Sequence, residues 1–258
     1  MYLVDVVIPV FGRFDLLEKC LSSLSKQDNV NVIIVDDFSP HDLVQVNKFY
    51  GDLVRTRKVR VIRNGKNEGF PRTCNTGVSK GKAPLILLLN SDVELEQGAV
   101  AAMVKELDEP GVGVVGALLT FPEGTQYGVP GTVQHAGMAF DSYGKPFHVH
   151  IGWNPSNLRV NKRKIVSCVT GACLMTRRGL WNEIGGLAAV YGKGTFEDVE
   201  FCVQAQLKGK TVVFTPEARG THYVGQSSAA QGTGYPLKEN YELFRRRVPV
   251  IWDEYRVW

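Results

Sequence analysis

The stretch Leu85-Ile86-Leu87-Leu88-Leu89-Asn90-Ser91-Asp92 decides the predicted fold. An unbroken aliphatic run that passes straight into polar residues is typical of a buried parallel strand. In open α/β sheets, ligands bind beyond the carboxyl ends of such strands. The oxygen atoms of Asn90, Ser91 and Asp92 suit a divalent cation and a phosphate-bearing ligand. The segment therefore predicts an α/β protein with a binding site at the end of this strand.

Strands and helices alternate on the N-terminal side of this segment. We predict earlier strands over residues 3–10, 30–36 and 59–63, each followed by a helix. Pro71 stands where the third helix should begin, because proline is tolerated in a first turn. This alternation predicts a doubly wound, mostly parallel sheet flanked by helices.

The pattern becomes irregular after about residue 110. The sequence contains no linker that would separate independent domains. We therefore expect a single domain over 1–258, with a regular half at 1–95, an irregular half at 96–235 and a tail at 236–258. For the irregular part we predict these elements: a helix at 97–108, short strands near 112–120, 133–140 and 165–176, a helix at 196–208, a strand at 211–215, a loop at 220–236, and a tail that starts helical and then becomes irregular.

Composition narrows the class of protein. The chain has 258 residues, is 44% hydrophobic and carries a net charge of +4, which is ordinary for a globular protein and does not indicate nucleic-acid binding. Its five cysteines lack metal-ligand spacing, which favours a reducing, intracellular setting. Asp5 and Pro9 interrupt the N-terminal apolar run, so we expect no signal peptide. We expect a cytoplasmic protein whose membrane contact, at the inner face, is at most peripheral.

The turn after the first strand excludes two common nucleotide motifs. Pro9-Val10-Phe11-Gly12 does not match the glycine pattern of a dinucleotide-binding turn, and the chain has no P-loop. The other strand ends carry Asp36-Asp37-Phe38-Ser39, the segment 63–69 and Asn90-Ser91-Asp92. These polar residues indicate a nucleotide site of another kind.

Seven segments occur in an order that resembles family 2 glycosyltransferases. They are VDVVIPVFGRFDLLEKCLSSL (4–24), VIIVDDFS (32–39), NEGFPRTCNTG (67–77), LLLNSDVEL (87–95), GACLMTRRGLWNEIGG (171–186), GTFEDVEFCVQAQLKGK (194–210) and THYVGQSS (221–228). The resemblance spans roughly residues 3–230 and is nearest to bacterial rhamnosyl- or N-acetylglucosaminyl-transferases. It implies a GT-A fold, with the nucleotide-sugar donor bound by 1–95 and the acceptor by 96–235.

The resemblance implies a set of nucleotide-binding residues. Asp37 should meet the nucleobase, and Asp36 the base or the ribose. Arg72 could neutralise phosphate. The alternatives are that the two aspartates open a turn and that Arg72 is a solvated helix residue. The full expected set is Pro9, Val10, Phe11, Asp36, Asp37, Asn67, Gly69, Arg72, Asn90 and Ser91.

Asp92 and His222 are the metal ligands that the resemblance implies, for Mn²⁺ or Mg²⁺. The chain departs from the family's Asp-x-Asp pattern, because Asn90 replaces the first carboxylate. This substitution weakens the expected metal site by one charge. The alternatives are an Asx turn at 90–92 and a structural histidine at 222.

Asp198 is the expected general base that takes a proton from the acceptor hydroxyl, with Glu197 beside it. The alternative is a capping box, in which Thr195 caps a helix and Asp198 occupies its third position. The resemblance favours the catalytic interpretation.

We therefore predict a metal-dependent, inverting glycosyltransferase. It would move a sugar from a nucleotide diphosphate, UDP or dTDP favoured, to a hydroxyl of a glycan or glycolipid. The alternatives are a sugar-1-phosphate nucleotidyltransferase, a non-catalytic carbohydrate- or nucleic-acid-binding module, and a transferase acting on modified nucleic acid. The first alternative would require a glycine-rich basic loop after the first strand, which the sequence lacks.

Several residues have weaker indications. His135, His148 and His150 could touch the acceptor, but we expect them to be solvated. Trp153 and Trp181 could stack on a sugar ring, but we expect them to pack in the core. Two basic runs are expected to be solvated faces or contacts for an anionic acceptor. They comprise Arg159, Lys162, Arg163 and Lys164, and Arg245, Arg246 and Arg247.

Overall fold

The computed structural model describes residues 2–57, 59–224 and 236–248. Within these ranges a mixed sheet carries helices on both faces. The strands are β1 Val4–Val10, β2 Val30–Asp36, β3 Arg60–Arg63, β4 Leu85–Leu89, β5 Val93–Leu95, β6 Val112–Thr120, β7 Val133–His135, β8 Met138–Phe140, β9 Pro146–His148, β10 Lys164–Ile165, β11 Cys173–Arg177 and β12 Thr211–His222. The helices are α1 Phe14–Leu24, α2 Leu43–Arg57, α3 Phe70–Lys80, α4 Ala99–Leu107, α5 Arg178–Ile184, α6 Glu197–Leu207 and α7 Leu237–Arg247.

The main sheet has the order β10-β12-β6-β11-β4-β1-β2-β3, with β5 paired to β12 and β7 to β6. Strands β3, β2, β1 and β4 are mutually parallel, as the sequence predicts. Strand β11 runs antiparallel between β4 and β6 and so joins the two halves of the chain in one sheet. Because β1 lies between β2 and β4, chain order reverses there and a crevice opens at the carboxyl edge.

Two hydrophobic cores lie on opposite faces of the sheet. Alternate residues of β4 point to opposite faces, as the twofold strand period requires. Leu87 packs with α1, α2 and α4, whereas Leu88 packs with α3, α5 and α6. Both side chains are fully buried, so the all-aliphatic character of this strand is explained.

The C-terminal half differs from the prediction at β12. This strand continues to His222, although the sequence analysis ended it at residue 215 and placed a loop from 220. An irregularity between Thr215 and Arg219 interrupts its pairing with β6. Pairing with β5 then holds residues 220–222 extended. The expected loop at 225–235 and the irregular tail at 249–258 lie outside the described residues. No described helix is long and apolar enough to span a membrane.

Candidate active site

A cleft of about 170 Å³ opens at the carboxyl end of β4. Its position follows from the pairing of β4 with β11, which places Cys173 beside Leu89. The Asn90 backbone N–H donates to the Ala172 carbonyl at 2.9 Å. The cleft is lined by Phe70, Asn90, Thr170, Gly171, Ala172, Lys193, Gly194, Thr195, Glu197 and Asp198. The tertiary structure therefore brings three predicted site residues together, Asn90, Glu197 and Asp198.

The carboxylate of Asp198 is held by backbone donors. Its Oδ2 accepts the Gly171 N–H at 2.8 Å, and its Oδ1 accepts the Val199 N–H at 2.8 Å. The capping-box alternative is wrong, because α6 begins at Glu197 and its N-cap, Phe196, makes no side-chain cap hydrogen bond. Thr195 and Phe196 have φ angles of 84° and 72°. Such left-handed conformations in non-glycine residues are strained and are concentrated at functional sites.

Glu197 and Asp198 form a coupled acidic pair. Burial, followed by the charge of Asp198, raises the pKa of Glu197 well above its usual range. Burial also raises the pKa of Asp198, but the hydrogen bonds from Gly171 and Val199 oppose that shift. Because two neighbouring buried carboxyls do not both ionise readily, Glu197 holds its proton more strongly. Asp198 is the member of the pair that ionises.

Two buried polar atoms beside the cleft have no hydrogen-bond partner. They are Oδ1 of Asn90 and Oε2 of Glu197, and both residues line the cleft. A buried polar atom without a partner costs about 1–3 kcal/mol, so such atoms call for an explanation. A ligand that carries hydroxyl groups would satisfy both of them.

Asp92 and His222 meet at the same edge of the sheet. Nε2 of His222 lies 3.3 Å from Oδ1 of Asp92, and both side chains are largely buried. Antiparallel pairing aligns His222 with Val93, and the Tyr223 N–H donates to the Asp92 carbonyl at 2.9 Å. The two predicted ligands, distant in sequence, are therefore neighbours in the fold.

The donor set at Asp92 and His222 fits a divalent cation. Nδ1 of His222 lies 3.3 Å from Oε1 of Gln134. When Gln134 accepts this hydrogen, Nε2 presents its lone pair to Asp92, as metal-binding histidines do with a second-shell acceptor. No group of three or more His, Cys, Asp or Glu residues within 2–57, 59–224 and 236–248 could hold a metal. The remaining ligands would therefore come from a bound molecule or from water.

Asp36 and Asp37 both hold the loop beyond β2. Asp36 is fully buried and accepts hydrogen bonds from the Ser39 backbone and hydroxyl and from Arg63. Asp37 accepts from Nδ2 of Asn64 at 2.8 Å and from the backbone N–H groups of Glu68 and Gly69 at 2.8 and 2.9 Å. Both aspartates thus fix the loops that follow β2 and β3. Their direct contact with a nucleotide stays a prediction.

The backbone conformation and the close contacts of Gly69 require a glycine at this position. Its φ is +83°, and a Cβ atom there would lie 2.0 Å from the Gly192 carbonyl oxygen. No other residue could allow this close approach between the loop before α3 and the segment before α6. Of the other expected nucleotide-binding residues, Asn67 and Arg72 are exposed, Val10 and Ser91 are buried, and Pro9 and Phe11 are partly buried.

Helix α7 braces the segment that lines the cleft. Nδ2 of the buried Asn240 donates to the carbonyls of Tyr191 and Gly194 at 3.0 and 2.8 Å. Arg247 forms a bidentate pair with Glu200 on α6. The sequence predicted the helix but not its function as a support.

Several residues that the sequence analysis did not assign to the site contact or line it. The Thr170 N–H donates to Nε2 of His135 at 3.4 Å, and Nδ1 of His135 lies 2.9 Å from Nδ1 of His148. The expectation that His135 is solvated is wrong, because its side chain is fully buried, whereas His148 is half-buried. Burial lowers the pKa of both. Gly171 is the first residue of the family-like segment 171–186. No sequence pattern indicated Gln134.

The two tryptophans have different environments. Trp181 is buried against Phe201, as predicted, with ring centroids 5.1 Å apart. Trp153 is 38% exposed, so its expected place in the core is wrong. All five cysteines are buried and unpaired.

The sequence profile of glycosyl transferase family 2 matches residues 5–184. The chain belongs to this family.

Curated relatives include an uncharacterized protein, y4gI, of Sinorhizobium fredii, which is 28% identical over 95% of this chain and 27% of its own length. The O-antigen biosynthesis protein RfbC of Myxococcus xanthus is 28% identical over 88% of the chain and 18% of its length. An N-acetylglucosaminyl-diphospho-decaprenol L-rhamnosyltransferase of Mycobacterium tuberculosis is 25% identical over 86% of the chain and 76% of its length. The chain thus spans about a quarter or less of the first two relatives.

Solved structures show that the fold is GT-A-like. GalNAc-T7 with UDP, GalNAc and Mn²⁺ superposes with a TM-score of 0.75 at 19% identity, covering 98% of this chain and 49% of that one. S. aureus TarS 1-349 with UDP-GlcNAc gives a TM-score of 0.65 at 18% identity, covering 97% and 66%. Both support the predicted mixed α/β architecture.

Proposed function

We propose that this chain transfers a sugar from a nucleoside-diphosphate donor to a hydroxyl group of a glycan or glycolipid, with inversion at the anomeric carbon. The observation that carries the proposal is the arrangement of Glu197 and Asp198 at the β4 cleft. Asp198 and Glu197, whose pKa is raised, line this cleft, and Oδ1 of Asn90 and Oε2 of Glu197 lie buried beside it without a hydrogen-bond partner. Membership of glycosyl transferase family 2 supports the same chemistry.

Asp198 is the proposed general base. A sugar hydroxyl is a weak nucleophile, so removing its proton during attack lowers the barrier. The hydrogen bonds from Gly171 and Val199 fix the carboxylate, and each oxygen retains a lone pair for the acceptor hydroxyl. Burial raises the pKa of Asp198 and so makes it a stronger base.

Glu197 and Asn90 are proposed to orient sugar hydroxyls. Protonated Glu197 can donate one hydrogen bond and accept another. Oδ1 of Asn90 can accept a hydrogen bond from a hydroxyl. Because protonated Glu197 is neutral, it does not repel the negative charge of the base, Asp198.

The donor nucleotide is proposed to lie along the carboxyl edge of β1, β2 and β4. Asp37, Asn67, Gly69 and Arg72 would face it, with UDP or dTDP the favoured nucleotides. Asp92 and His222 would hold Mn²⁺ or Mg²⁺ against the diphosphate. Such an ion, when bound, would offset negative charge on the leaving group. Two solved structures with a similar fold contain UDP or a UDP-sugar.

The acceptor is proposed to be a glycan or a lipid-linked sugar rather than nucleic acid. The Mycobacterium tuberculosis relative bears the name of a transferase acting on a decaprenyl-linked sugar. The net charge of +4 gives no support to nucleic-acid recognition. A cytoplasmic location also stays a prediction.

A thermal-shift screen tests the donor. UDP, dTDP and GDP are each added with and without Mn²⁺. A ligand at a hundredfold excess over Kd stabilises a protein by about 2.7 kcal/mol, so a specific nucleotide should raise Tm measurably in Mn²⁺. UDP-sugars and dTDP-sugars are then assayed for slow hydrolysis without an acceptor.

The product configuration tests the direct displacement. NMR of the transferred sugar should show an inverted anomeric centre. Failure of every nucleotide to raise Tm, together with an absence of hydrolysis, would overturn the transferase and favour a binding module.

A further inference from the structure

The loop between β9 and β10 and the first residue of β10 form a basic patch, defined here as the exposed Trp153, Arg159 and Lys162 and the half-buried His150 and Lys164. Nζ of Lys164 lies 3.2 Å from Nε2 of His150, whose ring centroid lies 4.6 Å from that of Trp153. Burial, followed by the charges of Lys162 and Arg159, lowers the pKa of Lys164. The cations are therefore close enough to repel one another.

The cations of the basic patch have no acidic partner within the part of the chain that the structure describes. Among residues 2–57, 59–224 and 236–248, no Asp or Glu forms an ion pair with Arg159, Lys162 or Lys164. Arg163 differs, because it pairs with Glu106 at 2.6 Å and with Glu109 at 2.7 Å. The basic run predicted from the sequence thus has two roles. Arg163 binds the loop to α4, and Arg159, Lys162 and Lys164 are available to bind an anion.

Exposed apolar side chains accompany these charges. Ile151 is 53% exposed, Leu158 86% and Trp153 38%. Cations beside exposed aliphatic and indole groups suit a surface whose outer layer is anionic and whose interior, a few ångströms below, is apolar. A phosphate backbone alone would require only the cations.

The loop is held in a defined shape. Val160 is fully buried against Val133 and Phe214. The Val133 N–H donates to the Trp153 carbonyl at 2.9 Å, and the Val160 N–H donates to the Asn157 carbonyl at 2.8 Å. Little ordering of the loop is therefore needed when a partner binds, which favours affinity.

We propose that the basic patch docks on an anionic lipid bilayer surface, with Arg159, Lys162 and Lys164 facing phosphate headgroups and Trp153 and Leu158 entering the interface. This surface goes beyond the proposed transfer reaction and does not depend on it. It would bring a lipid-linked acceptor within reach of the chain.

Vesicle co-sedimentation tests the docking surface. The full chain is mixed with vesicles of phosphatidylcholine alone or of equal phosphatidylcholine and phosphatidylglycerol. We expect binding to the anionic vesicles only, weakening as salt rises. Each cation near such a surface contributes about fivefold in partitioning, so the triple variant R159Q/K162Q/K164Q should bind about a hundredfold more weakly. Trp153→Ala should weaken binding further without changing its salt dependence.

Two controls match these variants. The triple variant K26Q/K48Q/K82Q removes the same charge from exposed lysines elsewhere and should bind as the unmodified chain does. Arg163→Gln should also retain binding while lowering Tm slightly. Circular dichroism and the nucleotide thermal shift, measured on each variant, show whether the fold and the donor site are intact.

The outcomes are distinct. Equal binding to neutral and anionic vesicles, or equal losses in the two triple variants, would overturn the proposal. Tighter binding to DNA than to anionic vesicles at the same salt would assign the basic patch to nucleic acid and also overturn it. Vesicle binding in a chain that binds no nucleotide would leave this inference standing while the proposed transferase failed.

Discussion

The backbone N–H of Gly171 donates a 2.8 Å hydrogen bond to Oδ2 of Asp198. This contact joins the turn before β11 to the first turn of α6 and aims the carboxylate into the β4 cleft. Oδ1 of the same group is held by its neighbour Val199 at 2.8 Å. A carboxylate fixed at both oxygens is suited to a positional role such as general base catalysis.

Asp198→Asn is expected to abolish most of the turnover. The amide cannot take a proton, so kcat should fall by about 10²–10⁴-fold. Nucleotide binding should stay near that of the unmodified chain, because the proposed mechanism places Asp198 against the acceptor rather than the nucleotide. Initial rates and thermal shifts with UDP or dTDP measure the two effects. Asp108→Asn, at an exposed position after α4, is the control, and a variant that lost only stability would contradict the base assignment.

Glu197→Gln is expected to remove a pH dependence of stability. The folded-state pKa of Glu197 is raised, so the folded protein binds more protons than the unfolded chain above about pH 4.3, the unfolded value. The free energy of unfolding contributed by this group is thus lost as pH rises through the folded-state pKa. The variant, always neutral, should gain stability relative to the unmodified chain as pH increases. Urea denaturation measured from about pH 4 upward, starting at the unfolded-state pKa, measures this difference.

Glu18→Gln, at an exposed position on α1, serves as the control for Glu197→Gln and should show a flat difference. A constant difference for Glu197→Gln would mean that Glu197 is ionised throughout.

Chelation is expected to abolish transfer, with Mn²⁺ or Mg²⁺ restoring it. Asp92→Ala should be inactive but folded, since Asp92 would be a metal ligand. Gln134→Leu should weaken Mn²⁺ affinity about 10–100-fold, because Gln134 fixes the tautomer of His222. Asn90→Asp adds a carboxylate and should tighten metal binding. Titration calorimetry with nucleotide present measures these affinities.

The exposed Gln126→Leu is the control for Gln134→Leu and should leave Mn²⁺ affinity unchanged. Full activity in EDTA would contradict a metal-assisted mechanism.

Gly69→Ala is expected to destabilise the fold by about 3 kcal/mol, since it combines backbone strain with a steric clash. The added Cβ would lie 2.0 Å from the Gly192 carbonyl oxygen. Gly65→Ala, where nothing lies within 4 Å of the new atom, should change stability by less than about 0.5 kcal/mol. Urea unfolding compares the two variants, and equal stabilities would refute the close contact.

The His135–His148 pair predicts a loss of stability in acid. Burial lowers the pKa of His148 to about 4, below its unfolded value of about 6.5. The unfolded chain therefore binds more protons between these values, and the free energy of unfolding falls as pH drops through that window. His148→Gln should flatten this dependence in denaturation measured across the same pH range. The exposed His41→Gln should leave it unchanged, and an unaltered slope in His148→Gln would show that another group is responsible.

The sequence could predict much of the N-terminal half. Aliphatic runs at 3–10 and 84–89 alternate with helical patterns. The spacing of apolar residues in each element shows which of its faces is buried. Asp92 and Asp198 could be predicted as site residues because they stand within ordered segments that resemble the family; their roles stay predictions. The capping box at Thr195 was wrong because local spacing does not reveal that the backbone at Thr195 and Phe196 is left-handed.

What the sequence determined by itself was the succession of strands and helices and the polar residues at the strand ends, because these depend on local periodicity and residue chemistry. Only the tertiary structure decided which distant residues meet. The pairing of β12 with β5 brings His222 to Asp92, and the pairing of β11 with β4 brings Gly171 to the cleft with Asp198. These pairings form because they allow both faces of one sheet to be buried. The resulting gain in free energy depends on contacts throughout the chain and not on any single segment.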